Sequence, residues 1–277
     1  MSTESFHHTV EASIPSAPHA QEGLKEMANW ITLVTERWHD TPWVNFLHRW
    51  ENVVFAWMVA LGLVTIALIG GRKKSEVPGP LQNFLEMVVE GLGRFVNDIL
   101  GERGKEYVPF LGTLFLYILC QNLFGLVPAM KSPTSNLNTT VSLAVTVFFY
   151  VQWTGIRQNG LWGYFHHLMG SPCDLVGWIM VPLNLPLHIL EEFIKPLSLS
   201  LRLFGNILGE DSLIAAFVTL GITALAFFHV PVGLPVQFPF MMLAVLTGTI
   251  QALVFALLST IYISLMLPHA TEHESNH

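Results

Sequence analysis

The feature that most constrains this sequence is a set of apolar runs too long for the helices of a small soluble domain. The first run, Val53 to Gly70, contains no charged residue, and roughly 20 helical residues cross a hydrocarbon core about 30 Å thick. Similar runs follow at Val108 to Val127 and Val141 to Gly155. Only 12% of the residues are charged, against about 25% in soluble domains. These observations predict an all-α membrane protein that crosses the bilayer several times.

The segments on either side of the first run indicate the membrane surface. Residues 1–50 are predicted to form a polar tail and an interfacial helix rich in tryptophan, which prefers the membrane–water interface. Residues 51–71 are the first predicted transmembrane helix. Residues 72–107 contain a basic loop and then, from Leu81 to Ile99, apolar residues at helical spacing with charged residues on the other face. This pattern predicts an amphipathic helix on the membrane surface.

The remaining chain divides into two helical hairpins. Residues 108–157 are predicted to form a transmembrane hairpin, and residues 158–174 a cytoplasmic loop. Residues 175–268 contain two runs of about 80 and 50 Å if helical, which exceeds an upright crossing. We therefore expect a long, tilted hairpin there, giving about five membrane segments in all. Residues 269–277 are predicted to form a polar C-terminal tail.

Basic residues predict the orientation, because cytoplasmic loops carry an excess of Lys and Arg. Six lie between residues 71 and 107, but only Lys131 lies between residues 128 and 138. The N-terminus is therefore expected outside and the C-terminus in the cytoplasm. Met1 to Gln21 has neither the basic start nor the apolar core of a signal peptide. This favours the plasma (inner) membrane of a bacterium.

Several functional classes find no support in the sequence. The net charge of −7 and the lack of a basic patch argue against a nucleic-acid partner. Histidines near both ends lie in polar segments, which favours solvated tails over a metal site. There is no His-Glu-x-x-His, no Gly-x-Ser-x-Gly and no glycine-rich phosphate loop. We expect no catalytic residue, no metal and no cofactor, and we expect that the chain does not itself bind ATP.

Polar side chains inside the last two apolar runs are the strongest functional signal. Arg202 lies within such a run, where an arginine costs about 2.5–3.5 kcal/mol on insertion scales and usually faces a partner or an aqueous cavity. Glu192 and Glu210 lie about 80° away around the helix, and Asp211 points to the opposite side. Residues that share the direction of Arg202, at about 100° per residue, are His188, Glu191, Lys195, Ser198, Asn206 and Gly209.

This face suits an ion path that is interrupted by a fixed positive charge. A guanidinium stays protonated at any accessible pH, so Arg202 cannot relay protons itself. It can favour the charged form of a carboxylate that passes it, while carboxylates and a histidine on either side exchange protons with water. The alternative is an internal ion pair of Arg202 with Glu210 or Asp211. For Lys195, the sequence favours a local ion pair with Glu191.

Two further sets of residues leave alternatives open. Gln121, Asn122, Asn136 and Asn138 either bond helices together or line an aqueous cavity. The spacing of Gly205 and Gly209 favours the close approach of another helix. An ion-coupled secondary transporter is the second functional class, although the internal repeat common in such transporters is not visible in the sequence.

The segment Pro196-Leu-Ser-Leu-Ser-Leu-Arg-Leu-Phe-Gly-Asn206 closely resembles the signature of subunit a of F-type rotary ATP synthases. A second matching segment, Ile250-Gln-Ala-Leu-Val-Phe-Ala256, is followed by Tyr262. The resemblance extends from about Val53 to Pro268. It implies a proton-conducting stator subunit of the Fo sector, with two aqueous half-channels and a hairpin that faces a rotating c-subunit ring. Arg202 would face the carboxylate of each c subunit in turn.

The resemblance also implies residue roles and partners. Proton-path positions fall on Asn138, His188, Asn206, Glu210, Asp211 and Gln251, and supporting polar positions on Glu191, Glu192, Ser198 and Tyr262. Ala244 stands where some relatives have a histidine, and Gly125 where some have an aspartate. Glu210 is the candidate that completes the relay in place of that histidine. The implied partners are the c ring, the b subunits of the peripheral stalk, other ATP synthase subunits and membrane lipid.

Overall fold

The computed structural model describes residues 50–71, 79–127, 130–169, 175–226 and 236–267. Two short 3-10 turns, Gly101–Arg103 and Pro133–Ser135, precede the third and fourth helices. Because no β-strand occurs in these ranges, the all-α prediction is confirmed. The α-helices in chain order are α1 (Glu51–Gly71), α2 (Pro80–Leu100), α3 (Gly104–Phe124), α4 (Leu137–Leu168), α5 (Leu175–Ala226) and α6 (Phe238–Met266).

Five helical segments of this part of the chain are long and apolar enough to cross a membrane. The second of them joins α2 to α3 through the 3-10 turn, where Gly101 adopts a positive φ of 64°. Large apolar side chains such as Trp57 and Leu61 of α1 are more than half exposed, as expected for a surface in contact with lipid tails. The segments are Glu51–Gly70, Gln82–Phe124, Leu137–Tyr164, Met180–Thr223 and Phe238–Met266.

The bounds of α1 and α2 lie close to those predicted from the apolar pattern. The tryptophan-rich region before residue 50, the predicted basic loop over 72–78 and residues 227–235 between α5 and α6 lie outside the described residues. In place of the cytoplasmic loop expected over 158–174, the chain stays helical to Leu168 apart from Gly160. Gly160 has φ 69° and ψ 166°, a backbone conformation that other residues rarely adopt.

The break at Gly160 reverses the direction of the chain. Twelve residues of straight helix span about 18 Å, yet the Tyr164 hydroxyl donates a 2.6 Å hydrogen bond to Oε1 of Gln152. A Cβ on Gly155 would lie 3.3 Å from the Tyr164 ring. Nδ2 of Asn159 donates to the carbonyl of Met266 at 2.8 Å, which ties this reversal to the end of α6. The end of α4 is therefore packed back onto the bundle.

Helices α5 and α6 form the long hairpin that the sequence predicts. Their contacts recur every eleven residues along both helices, which is close to three helical turns, so one face of each helix meets the other. Three such contacts mark the register: Lys195 Nζ lies 5.7 Å from the centre of the Tyr262 ring, Asn206 bonds Gln251, and Phe217 stacks on Phe240 with ring centres 3.8 Å apart.

The core lies between α3, α4, α5 and α6. On α5 the buried residues recur every four positions at Leu199, Leu203 and Ile207, each at most 2% exposed. They pack with Ile118 of α3 and Phe255 of α6, which are fully buried. This apolar stripe fixes the rotation of α5 about its axis, because turning it outward would expose the stripe and bury the polar face.

Candidate functional site

The side of α5 that faces away from the core is open over about three helical turns. Arg202 and Asn206 are exposed there together with Ser198. Gly205 lies between Arg202 and Asn206, and Gly209 follows one turn after Gly205; a Cβ built on either glycine meets no described residue within 4 Å. We call Ser198, Arg202, Gly205, Asn206 and Gly209 the open face. The helix that the two glycines were expected to approach is not among the described helices of this chain.

Arg202 makes no hydrogen bond or ion pair with any described residue. The internal ion pair with Glu210 or Asp211 is therefore not formed. Eight residues place Glu210 about 12 Å further along the helix axis, out of reach of the guanidinium. The charge of Arg202 does act on the phenol of Tyr262, which lies on α6 beside Lys195.

Asn206 connects the open face to the interior. Its Nδ2 donates a 2.7 Å hydrogen bond to Oε1 of Gln251 on α6. Gln251 is only 3% exposed, and its Nε2 has no partner among the described residues. The structure thus brings together two residues that the sequence assigns to the proton path, one turn from Arg202.

One turn beyond this pair, Glu210 faces α6 and interacts with the hydroxyl of Thr247. Asp211 is half-buried beside it. Ala244, which stands where some relatives have a histidine, is 4% exposed and lies on the same helix as Thr247. The Glu210 carboxylate is therefore placed on the α6 side of α5, as its expected role in completing the relay requires.

On the other side of Arg202, α5 carries a second group of charges. His188 is half-buried and Glu191 exposed, and their Nδ1 and Oε2 atoms lie 3.6 Å apart. Glu192 is buried, and its Oε1 accepts a hydrogen bond from Lys195. The expected pairing of Lys195 with Glu191 is thus replaced by a pairing with Glu192, because Glu192 is the one that points into the bundle beside Lys195.

Two residues in this region were missed by sequence reasoning. Gln152 of α4 donates from Nε2 to Oε2 of Glu192 at 2.7 Å, and it accepts from Tyr164 as described above. A glutamine and a tyrosine inside or beside an apolar run were the available signal. Their partners could not be read from the sequence, because the reversal at Gly160 brings Tyr164 to Gln152.

Asn122 of α3 bonds helices together at the other end of the bundle, whereas both side-chain polar atoms of the neighbouring, buried Gln121 have no hydrogen-bond partner among the described residues. Asn122 donates from Nδ2 to the carbonyl of Gly248 on α6 at 3.0 Å, and it accepts from Thr134 at 2.8 Å. A Cβ on Gly125 would lie 2.6 Å from the Cβ of Ser132, so an aspartate would not fit there without a shift. Asn138 is exposed near the start of α4, and no hydrogen bond or ion pair among the described residues joins its side chain to the Arg202 region.

A metal site finds no support in the residues that the structure describes, since no group of three or more His, Cys, Asp or Glu side chains is close enough to hold an ion. The arrangement instead offers a free guanidinium in the middle of a membrane helix, with titratable or amide groups on both sides of it along the axis.

Comparison with known proteins points to a single family. Residues 53–264 match the family described as ATP synthase A chain. The chain is 45% identical over 261 residues to ATP synthase subunit a of Protochlamydia amoebophila, covering 94% of this chain and 93% of that protein. It is 43% identical over 220 residues to ATP synthase subunit a of Solidesulfovibrio magneticus, covering 79% and 85%. The subunit a of Moorella thermoacetica is 39% identical over 215 residues, covering 78% and 89%.

Proposed function

The chain belongs to the ATP synthase subunit a family, and on that premise we propose that it is the proton-conducting stator subunit of a rotary ATP synthase. Family membership and the five apolar helices make it a multi-pass component of the Fo sector. In the proposal, the α5–α6 hairpin faces a ring of c subunits in a bacterial plasma membrane. Proton flow through two aqueous half-channels past Arg202 then drives ATP synthesis in the soluble head.

The observation that carries the proposal is the free guanidinium of Arg202 on the open face. An unpaired arginine within a membrane segment is costly, and this one is exposed where the chain offers no partner within its described residues. A carboxylate on another subunit would satisfy it, and the guanidinium would keep that carboxylate charged against the desolvation that favours its neutral form. The two bare glycines allow such a partner helix to approach closely.

Groups that can carry or orient protons flank Arg202 on both sides. Glu210, Asp211 and the Asn206–Gln251 pair lie up to about 14 Å away on one side, and His188 lies about 21 Å away on the other. With the predicted orientation, the first group belongs to the outer half-channel and the second to the cytoplasmic one. The fixed charge between them would prevent a proton from passing without riding on the ring.

The same premise implies the partners. The c ring would cover the open face, while the b subunits of the peripheral stalk, other ATP synthase subunits and lipid would contact the remaining apolar surfaces. The alternative of an ion-coupled secondary transporter has no specific observation in its favour in the described part of the chain.

The test compares the native complex with Arg202→Ala and, as a matched control, Arg94→Ala. Arg94 forms an exposed ion pair with Glu90 on α2, a kind of pair that contributes little to stability. ATP synthesis driven by an imposed proton gradient is measured in vesicles, together with passive proton flux after removal of the soluble head. We expect Arg202→Ala to abolish synthesis and Arg94→Ala to leave it unchanged. Normal synthesis in Arg202→Ala would overturn the proposal.

A further inference from the structure

A group of bonded polar side chains lies inside the bundle, two turns from Arg202 and on the side opposite Gln251. We call it the Glu192 cluster. Its members come from α4, α5 and α6, and each is joined to the next by a hydrogen bond or a cation–ring contact: Tyr164, Gln152, Glu192, Lys195 and Tyr262.

Every strong acceptor of the cluster is occupied. Lys195 occupies Oε1 of Glu192, Gln152 occupies Oε2, and Tyr164 occupies Oε1 of Gln152. The side chains of Glu192 and Lys195 are only 11% and 22% exposed. This differs from His188 and Glu191, which lie one turn or less away on α5 but are 40% and 53% exposed. The Glu192–Lys195 pair is thus buried and held by several hydrogen bonds, whereas the His188–Glu191 pair lies at the surface of the chain.

The cavity beside the cluster is small and mostly apolar. It lies between α4, α5 and α6, and its volume of about 10 Å³ is the space that a single water molecule needs. Its walls are apolar apart from Glu192, Lys195 and Tyr262. A chain of waters that could carry protons through the bundle therefore has no room here.

The charge on Lys195 adds an electrostatic barrier to this steric one. A fixed cation beside a narrow passage excludes protons, and the ammonium lies over the Tyr262 ring, within cation–π range. The charge of Arg202 acts on the same phenol. A proton on the interior route from the cytoplasmic end of α5 would therefore have to pass the Lys195 ammonium before it reached Arg202.

We infer that Glu192 is a positioning residue that holds Lys195 across this interior route. Glu192 thereby closes the bundle to protons on the cytoplasmic side of Arg202 and confines them to the surface of α5 that faces the c ring. The inference rests on the proposed function. In this scheme Glu192 neither touches the c ring nor carries protons. It acts by keeping the ammonium in place, anchored through Gln152 and Tyr164 to the reversed end of α4.

The test measures protons pumped per ATP hydrolysed by the complete complex in vesicles. Glu192→Gln keeps the shape of the side chain but leaves the Lys195 charge buried without its counter-ion, which draws in water. We expect the pumping ratio to fall about tenfold while ATP hydrolysis continues. A purely structural role would instead lower hydrolysis and pumping together through loss of assembled complex. A ratio equal to that of the native complex would overturn the inference.

The double variant Glu192→Gln/Lys195→Gln asks whether the charge of Lys195 is itself needed for the seal. Removing both members of a buried ion pair is often nearly neutral for stability, but it also removes the ammonium from the route, so we expect the ratio to stay about as low as in Glu192→Gln. A double variant with the native ratio would show that the seal does not depend on the Lys195 charge, and the inference would be wrong.

Two further variants test the anchor and provide a control. Tyr164→Phe removes only the hydroxyl that anchors Gln152, and we expect the pumping ratio to fall about twofold. An unchanged ratio both in this variant and in an assembled Glu192→Gln complex would contradict the role of Gln152 and Tyr164 as an anchor for Glu192. Thr146→Val on α4 is the control, because its hydroxyl bonds only the Ser142 carbonyl of its own helix. A native complex that hydrolyses ATP without pumping any protons would refute the proposed function rather than this inference.

Discussion

Two cationic side chains lie two turns apart on α5, and their surroundings differ in almost every respect. Lys195 is largely buried, bonded to Glu192 and packed over Tyr262. Arg202 is exposed on the open face and bonded to no described residue. The sequence predicts both on one polar face of one helix. The structure assigns Lys195 to the interior of the bundle and leaves Arg202 at its surface.

The difference shows how a polar residue in a membrane helix can be interpreted. Within lipid, a charged group needs a partner, so a group whose partners all lie in its own chain is explained by that chain. Arg202 has no such partner, and the residues around it are a polar amide and two glycines. The Glu192 cluster therefore accounts for part of the fold, whereas the open face indicates an interaction with another subunit.

The largest expected effect comes from closing the open face. Gly205→Leu places a large side chain where none of the described residues lies within 4 Å, so we expect ATP synthesis to fall about 100-fold as the proposed partner is displaced. The isolated subunit should be no less stable, and up to about 1 kcal/mol more stable, since glycine is a poor helix former. Synthesis rates in vesicles and unfolding in detergent measure the two effects.

Gly62→Leu is the matched control for that substitution. Gly62 is also exposed, on α1, with nothing within 4 Å of an added Cβ. We expect near-native synthesis, because α1 carries no unpaired charge comparable to Arg202. An equal loss in the two glycine variants would remove the distinction between the open face and ordinary lipid-facing surface.

In the buried region around Gly155 we expect a loss of stability without a large loss of ATP synthesis. In Gly155→Val the added Cβ meets the Tyr164 ring and the Met266 sulfur at 3.3 Å, so overpacking should lower the free energy of unfolding by about 1–3 kcal/mol. Thermal or detergent-induced unfolding of the purified subunit measures this. Synthesis per assembled complex should stay within a few-fold of native. A stable but inactive Gly155→Val variant would contradict a mainly structural role for this region.

A smaller effect on stability is expected at the Asn206–Gln251 bond, which joins the open face to the buried interior. Asn206→Leu leaves both amide atoms of the buried Gln251 without a partner, and we expect a loss of about 1 kcal/mol in unfolding free energy. Replacing both residues by leucine should recover most of it, since removing both partners of a buried bond can be nearly neutral. Additive losses in the double variant would mean that the Asn206–Gln251 bond contributes little.

The smallest effect is expected at the exposed pair of Arg157 and Glu106, whose closest atoms are 3.5 Å apart. Both side chains are more than half exposed, and such pairs contribute between zero and about 1 kcal/mol. Glu106→Gln should change stability by less than about 0.5 kcal/mol, and less still at high salt. A larger or salt-independent change would show that this pair is part of the bundle's structural core.

The sequence by itself determined the helical segments and the family. A bilayer imposes a length on every spanning helix whatever its neighbours are, so α1 and the α5–α6 hairpin are evident from apolar runs alone. Helical periodicity likewise predicted α2 and placed Ser198, Arg202 and Asn206 on one face of α5. The long motif around Arg202 indicated the family, which the comparisons confirm.

Only the tertiary structure decided which polar groups are paired. Periodicity gives the direction of a side chain around its own helix but not the helix that lies opposite. Glu191 and Glu192 were therefore equivalent candidates for Lys195 until Gln152 of α4 was seen beside Glu192. The positive φ of Gly160, which brings Tyr164 back to Gln152, is likewise a backbone choice that glycine permits and the sequence does not dictate.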